Sequence, residues 1–243
     1  MTDQILNEKQ KIQEHEYKLP YHWFWRSNTW GGRVYWGYVN EIGRVADCLG
    51  RSIKFLDAGC GDGQLAYEIK KRGHNVWGFD YSEKAIGFAK LLAPTCVFDV
   101  FDIKKTSYKD NFFDVICLME VLEHIEPGDI PAALSEMKRA LRPRGVLVIT
   151  VPSTLRPISK KHYQHFSGDG LAQLLERAGF KMKILSGQDK KSFVLYVWDK
   201  LTDNRIWQIK PLTSFFNLRI YPKRFNTCSI DSGKRIIAIA INP

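Results

Sequence analysis

Cysteine is sparse in this chain, and what there is does not pair. Five cysteines are scattered through 243 residues and none stands in a C-x-x-C pair. Neither a disulfide framework nor a zinc cluster is indicated. Cys60, in a glycine-rich turn, and Cys117, in an apolar run, read as small buried fillers, which points to a reducing cytoplasm. Long hydrophobic runs are missing too: none approaches the roughly 20 residues of a membrane-spanning helix. The first twenty residues are polar and charged, unlike a signal sequence. Repeats and low-complexity segments are lacking. What remains, at 44% hydrophobic and 13% aromatic residues, suffices for one sizeable α/β core with decorations.

The densest signal lies between Ile53 and Ala66. An apolar run broken only by Lys54 ends in Asp57, and Gly59, Gly61 and Gly63 then alternate with other residues before a helical pattern starts. This is a buried strand feeding a tight turn and a helix. Glycine at alternate positions permits positive φ and lets a ligand lie against the main chain. The helix start offers free N–H groups and a positive dipole end. Asp57 and Asp62 would repel a pyrophosphate but suit an ammonium or sulfonium group. Residues 61–66 also fit the G-x-G-x-x-G/A dinucleotide fingerprint, so the turn by itself leaves the nucleotide open.

The following segments narrow it. Asn75–Asp80 reads as the next strand, its acid 17 residues beyond Gly63, with Ser82 as N-cap of another helix. An acid at that strand tip can take both ribose hydroxyls. Cys96–Asp102 reads as a third strand, whose terminal Asp102 can accept from an adenine amino group while Ile103 packs on the ring. Asn111–Ile125 reads as a buried strand breaking into an acidic, His-bearing segment. A helix over Ile130–Leu141, stopped by Arg142-Pro143-Arg144-Gly145, precedes the strand Val146–Val151. After a loop to Ser167 come a helix over 171–178, a sixth strand over 181–185 and a seventh over 234–241.

In this order the motifs LDAGCGDG (56–63), FD (79–80), FD (101–102), FFDVICLMEVLEHI (112–125) and ALRPRGVLVITVPS (140–153) resemble the class I S-adenosylmethionine-dependent methyltransferases, in particular the ubiquinone/menaquinone-type, type 11/12, small-molecule group. The resemblance covers residues 50–187 well and the rest poorly. It implies a Rossmann-like seven-stranded, mostly parallel sheet with helices on both faces and an antiparallel last strand between the fifth and sixth. It also implies S-adenosylmethionine as cofactor: Asp57, Gly59, Gly61 and Gly63 around the methionine tail, Asp80 with Tyr81 at the ribose, Asp102 and Ile103 at the adenine, and Met119 beside the cofactor. Arg33 would meet the cofactor carboxylate, as an arginine from this region does in relatives. Lys161–Ser167 resembles the H-x-x-H-F-[ST] loop that faces the acceptor in small-molecule relatives, making His162 and His165 candidate bases for a hydroxyl acceptor, with His124 of the EH pair as a third. His162-x-x-His165 has no further ligand nearby in sequence, so no metal is expected.

Four regions follow: an N-terminal aromatic lid over 1–50, a cofactor-binding core over 51–187, an insertion over 188–225, and a last strand over 226–243. The lid holds four of the seven tryptophans between 23 and 36; its rings either wall the acceptor site or pack on the sheet. The insertion carries eight basic residues against three aspartates, half of the formal net charge of +10, interleaved with eight aromatic rings. Basic and aromatic together suit an anionic membrane surface, RNA or a phosphorylated substrate; a solvated cap beside the acceptor pocket is the plainer reading. The leading expectation is methyl transfer, at oxygen, to a small-molecule, lipid or glycan acceptor by a cytoplasmic protein able to dock at the inner membrane surface. An RNA or protein methyltransferase is the second; the sequence Leu118-Met119-Glu120-Val121 lacks the Asn/Asp-Pro-Pro-Tyr of base-N methylating relatives. A non-catalytic binder is the third.

Overall fold

The computed structural model describes residues 7–24, 30–202, 210–221 and 226–243. Eight strands form one sheet: β1 (Lys54–Ala58), β2 (Asn75–Asp80), β3 (Val97–Val100), β4 (Phe113–Met119), β5 (Leu141–Pro152), β6 (Lys181–Lys190), β7 (Thr227–Cys228) and β8 (Gly233–Ile241), in the order β3-β2-β1-β4-β5-β8-β6-β7. The first five run parallel, and β8 pairs antiparallel with both β5 and β6. The seven expected strands are therefore joined by a short eighth. β6 runs past Leu185, where its apolar pattern ends, because Gly187 and Gln188 pair with both β8 and β7.

Alternation in the central strands builds two cores. Phe55, Val115, Cys117, Val146 and Val148 face one side, against α2 (Trp30–Cys48), α3 (Gln64–Lys71) and α4 (Glu83–Leu92). Leu56, Ile116, Leu118, Leu147 and Ile149 face the other, against α5 (Ile130–Ala140) and α6 (Gly168–Arg177). A strand buried on both faces has no polar side to show, which explains why β4 and β5 read as continuous apolar runs. The order reverses between β1 and β4, so the crevice for ligands opens at the carboxyl ends of these strands.

The flanking regions attach at separate places. The N-terminal segment comprises α1 (Glu8–Glu16), a turn over Tyr21–Phe24 and α2. The insertion holds α7 (Phe193–Thr202) and α8 (Lys210–Phe215), the latter continued by a π-turn. Trp198 stacks on Phe216 with ring centroids 4.2 Å apart, so part of the insertion's aromatic content forms a small core of its own with Leu195 and Tyr221. Trp25, Asp203, Arg205, Trp207, Lys223 and Arg224, which belong to the expected lid and insertion, lie outside the described residues.

Candidate active site

A cavity of about 410 Å³ opens at the crevice. Its first half is built on β1, β2 and the glycine turn. Gly59 and Gly61 have φ of 76° and 53°, which a side chain strongly disfavours. A Cβ on Gly59 would fall 2.7 Å from Val121, and one on Gly61 would fall 2.6 Å from the Tyr17 hydroxyl. The turn is tied to β2: Gly59 and Cys60 donate to the Phe79 carbonyl at 2.8 and 2.9 Å, and Gly61 donates to Asp80 Oδ2 at 3.0 Å. Asp80 Oδ1 accepts from the Ser82 N–H at 3.0 Å. Asp57 is 2% exposed and its Oδ2 has no hydrogen-bond partner. Burial pushes the Asp57 carboxyl up to about 8 and that of Asp80 up to about 6. Tyr81, Asp102, Ile103 and Met119 line the same cavity.

The N-terminal segment closes one side. Asp62 is fully buried and holds that segment: its Oδ2 accepts from the His22 N–H at 3.0 Å, its Oδ1 lies 2.9 Å from His22 Nδ1, and its carbonyl accepts from Trp23 Nε1 at 2.9 Å. Tyr81 donates to Gln13 Oε1 at 3.1 Å, tying α1 to the end of β2. Tyr17, Tyr21, Tyr35 and Tyr38 present rings to the cavity. The aromatic segment thus both packs on the sheet, through α2, and walls the site.

The second half is built after β4 and β5. His165 Nδ1 lies 3.1 Å from the Arg156 carbonyl, and His165 Nε2 lies 2.8 Å from His162 Nδ1. A carbonyl only accepts, so His165 is protonated on Nδ1 and accepts at Nε2. His162 must then donate from Nδ1, leaving the lone pair on its Nε2 free. Burial holds His162 and His124 near 3 and lowers His165 as well, so all three rings are neutral. The His124 ring stands edge-on to His162, with centroids 4.7 Å apart. Glu123 is buried with both oxygens unpartnered, and burial, aided by the charge of Glu120, raises its carboxyl well above the usual range. Ligand atoms of Glu123, His124 and His162 lie within 4.8 Å of one another, so these three, rather than the His162–His165 pair, are the group among the described residues with metal-ligand spacing. Glu120, at φ 57°, ends β4 and pairs with Arg235.

Two expected cofactor residues stand elsewhere. Arg33, 4% exposed, faces away from the cavity: it donates to Asp199 Oδ1 at 2.9 Å and Asn217 Oδ1 at 3.0 Å, and stacks over Tyr221. A guanidinium buried among these partners binds the insertion to α2, not a ligand. Gly63 does not line the cavity. Its φ of 78° makes it the N-cap of α3, and a Cβ there would strike Ala89 and Phe98, so it serves helix packing. The insertion also differs from the expected cap, since none of its described residues lines the cavity.

Sequence reading did not single out Glu120, Glu123, Arg156 or Arg235. Arg235 precedes an apolar run, and in an antiparallel last strand the first residues necessarily arrive where the parallel strands end; it pairs in register with Pro152. That signal was present in Lys234-Arg235. For Arg156 in the loop after β5 there was none.

A family model described as a methyltransferase domain matches residues 37–183. The chain is 30% identical over 159 residues to a protein of Mycolicibacterium smegmatis described as a probable S-adenosylmethionine-dependent methyltransferase, covering 61% of this chain and 60% of that one. It is 37% identical over 118 residues to a ubiquinone biosynthesis O-methyltransferase of Pelagibacter ubique, covering 46% and 48%. The chain spans about half the length of the curated relatives it matches. The crystal structure of a SAM dependent methyltransferase from Archaeoglobus fulgidus has the same fold, with a TM-score of 0.61 at 18% identity over 84% of this chain and 92% of that one.

Proposed function

The chain belongs to the methyltransferase-domain family, and on that premise we propose that it transfers a methyl group from S-adenosylmethionine to a hydroxyl of a small-molecule, lipid-linked or sugar-linked acceptor. One observation carries this reading: a single cavity has buried carboxylates around a glycine turn at one end and the neutral histidines His124 and His162, the latter backed by His165, at the other.

The residues at the first end fit the donor. The unpartnered oxygen of Asp57 suits a cationic amino-acid tail, and the main chain at Gly59 and Gly61 is open to close approach. Asp80 is the ribose acceptor and Asp102 with Ile103 the adenine contact; Tyr81 and Met119 complete the wall. When bound, S-adenosylmethionine supplies an electrophilic methyl group that a nucleophile takes by in-line displacement. At the second end His162 Nε2 is the proton acceptor. His165 and the Arg156 carbonyl fix its tautomer, so the lone pair that removes the hydroxyl proton is always presented. His124 stands next to it as the alternative.

The test combines binding and transfer. Calorimetry should show S-adenosylmethionine and its demethylated product binding, and NAD not. Labelled methyl groups should then pass to lipid or nucleotide-sugar fractions rather than to RNA. Tight NAD binding with no response to the adenosyl ligands would sink the reading, and preferential labelling of RNA would move it to nucleic acid.

The same reading extends to where the acceptor is met. α7 exposes Phe193, Val194, Tyr196 and Leu201, Phe193 at 79%, and exposed Lys190, Lys191 and Lys200 flank them. α8 adds Leu212 and Phe215. No described helix is long and apolar enough to cross a membrane. An apolar helix face bordered by lysines suits the surface of an anionic bilayer, where each basic residue contributes about 1 kcal/mol. Co-sedimentation with anionic but not neutral vesicles at physiological salt supports this; capture by RNA alone, or by neither, overturns it.

A further inference from the structure

The cavity is electrically divided, and its second half carries one positive charge that has no ion-pair partner among the described residues. Arg156 lies in the loop after β5 and lines the cavity half-buried. Its main chain is fully used: the N–H donates to the Ser153 carbonyl at 3.0 Å, and its own carbonyl receives His165. Its guanidinium, by contrast, has no hydrogen-bond or ion-pair partner among the described residues. The other charged groups of this half are matched. Arg235 is paired with Glu120, Lys161 with Glu16 at 2.7 Å, and Lys104 with Asp129 at 2.8 Å. Glu126 is exposed at the rim. Glu123 is buried where the neutral acid is favoured, and the three histidines are neutral.

An unpaired guanidinium taken out of water is costly, and Arg156 shows that cost: burial first, and then the positive charge of Arg235, lower its pKa. A planar fork of donors of this kind matches the two oxygens of a carboxylate or phosphate. The donor half has the opposite character, with Asp57 and Asp80 suited to a cation. The two ends of one cavity therefore favour ligands of opposite charge.

We propose that Arg156 is the anchor for an anionic group on the methyl acceptor, a carboxylate or phosphate carried a short distance from the hydroxyl that is methylated. This rests on the methyltransferase reading above and names the acceptor class within it. Arg156 lies on the β4–β5 side, one hydrogen bond from the His165–His162 pair, so an acceptor held there has its hydroxyl within the histidine end of the cavity. Arg156 is a binding residue: its main-chain carbonyl orients His165, and its side chain takes no part in proton transfer.

The experiment uses the full chain saturated with S-adenosylhomocysteine, titrated with benzoate, phenyl phosphate and neutral benzamide. At least one of the two anions is expected to bind ten-fold or more tightly than benzamide, and which one leads tells carboxylate from phosphate. Arg156→Gln should reduce that preference to about one while S-adenosylhomocysteine affinity stays within two-fold; Arg156→Lys should retain part of it. Equal affinity for anions and benzamide in the unaltered protein, or no binding of any of the three, overturns the proposal, as does a preference that survives in Arg156→Gln. A ten-fold loss of S-adenosylhomocysteine affinity in Arg156→Gln overturns it too, because the anion held would then be the donor's own carboxylate. Failure of the unaltered protein to bind S-adenosylhomocysteine would instead strike at the methyltransferase reading itself.

Discussion

Asp57 shows how one side chain sets both a cost and a function. Its carboxyl titrates near 8 in the folded chain and Asp80 near 6, each raised by burial, against about 4 for a free aspartate. Between about pH 4 and those values the folded state retains protons that the unfolded state has released, so stability falls as pH rises. The three histidines, lowered by burial, act in the opposite sense below about pH 6.5. The melting temperature of the ligand-free protein is therefore expected to drop between about pH 6.5 and pH 8. Asp57→Asn should flatten the upper part of that slope and raise the melting temperature at pH 8. The same variant should bind S-adenosylmethionine more weakly, since affinity for a cationic tail grows as Asp57 ionises. A second residue-scale prediction concerns the histidines. His162→Ala should lower turnover by roughly 10²–10⁴, as expected for loss of a general base, and leave cofactor affinity nearly intact. His165→Ala should cost less, because His165 only fixes the tautomer. Full turnover in both would shift the role to His124.

At the scale of elements, neighbouring glycines of one turn do different jobs. Gly61→Ala would drive a Cβ onto the Tyr17 hydroxyl and disturb the lid, so S-adenosylhomocysteine affinity is expected to fall about ten-fold, ~1.4 kcal/mol. Gly63→Ala meets Ala89 and Phe98 at φ 78°. It should lower stability by about 1–3 kcal/mol, the scale of overpacking, as read by denaturant unfolding. Arg33→Ala separates structure from binding in the same way. It removes the contacts to Asp199 and Asn217 that seat α7 and the π-turn after α8 on α2. It should destabilise by about 2–3 kcal/mol, the scale of a charged hydrogen bond, with cofactor affinity unchanged; a large loss of affinity would restore Arg33 to the cofactor site.

For the molecule as a whole, the cavity has walls from both the sheet and the N-terminal segment. Asp62 and Tyr81 join them through His22, Trp23 and Gln13. Binding of S-adenosylhomocysteine should therefore slow amide exchange across residues 7–24 as well as in the glycine turn. Residues of α7, which line no part of the cavity, should exchange unchanged. Protection confined to the turn would mean that the N-terminal segment is packing alone.

The parallel strands were legible because their causes are local. Apolar runs ending in Asp57, Asp80 and Met119, punctuated by glycine and by the Ser82 cap, give a strand–turn–helix order without knowledge of any distant contact. The antiparallel β8 was legible from resemblance, and it stands between β5 and β6. The strand tips followed, and with them Asp57, Asp80, Asp102 and Met119 at the cavity. Arg33 and Gly63 were misread because motif spacing says where a residue lies along the chain, not which neighbour its side chain meets. The contacts that decided them, Asp199 and Asn217 for one and Ala89 for the other, come from segments 26 to 184 residues away. Tertiary structure alone brought Arg235 to Glu120 across 115 residues, set His124 against His162, and left the Arg156 guanidinium without a partner among the described residues. Burial and pairing of charge depend on which chain segments converge, and that convergence is a property of the folded sheet.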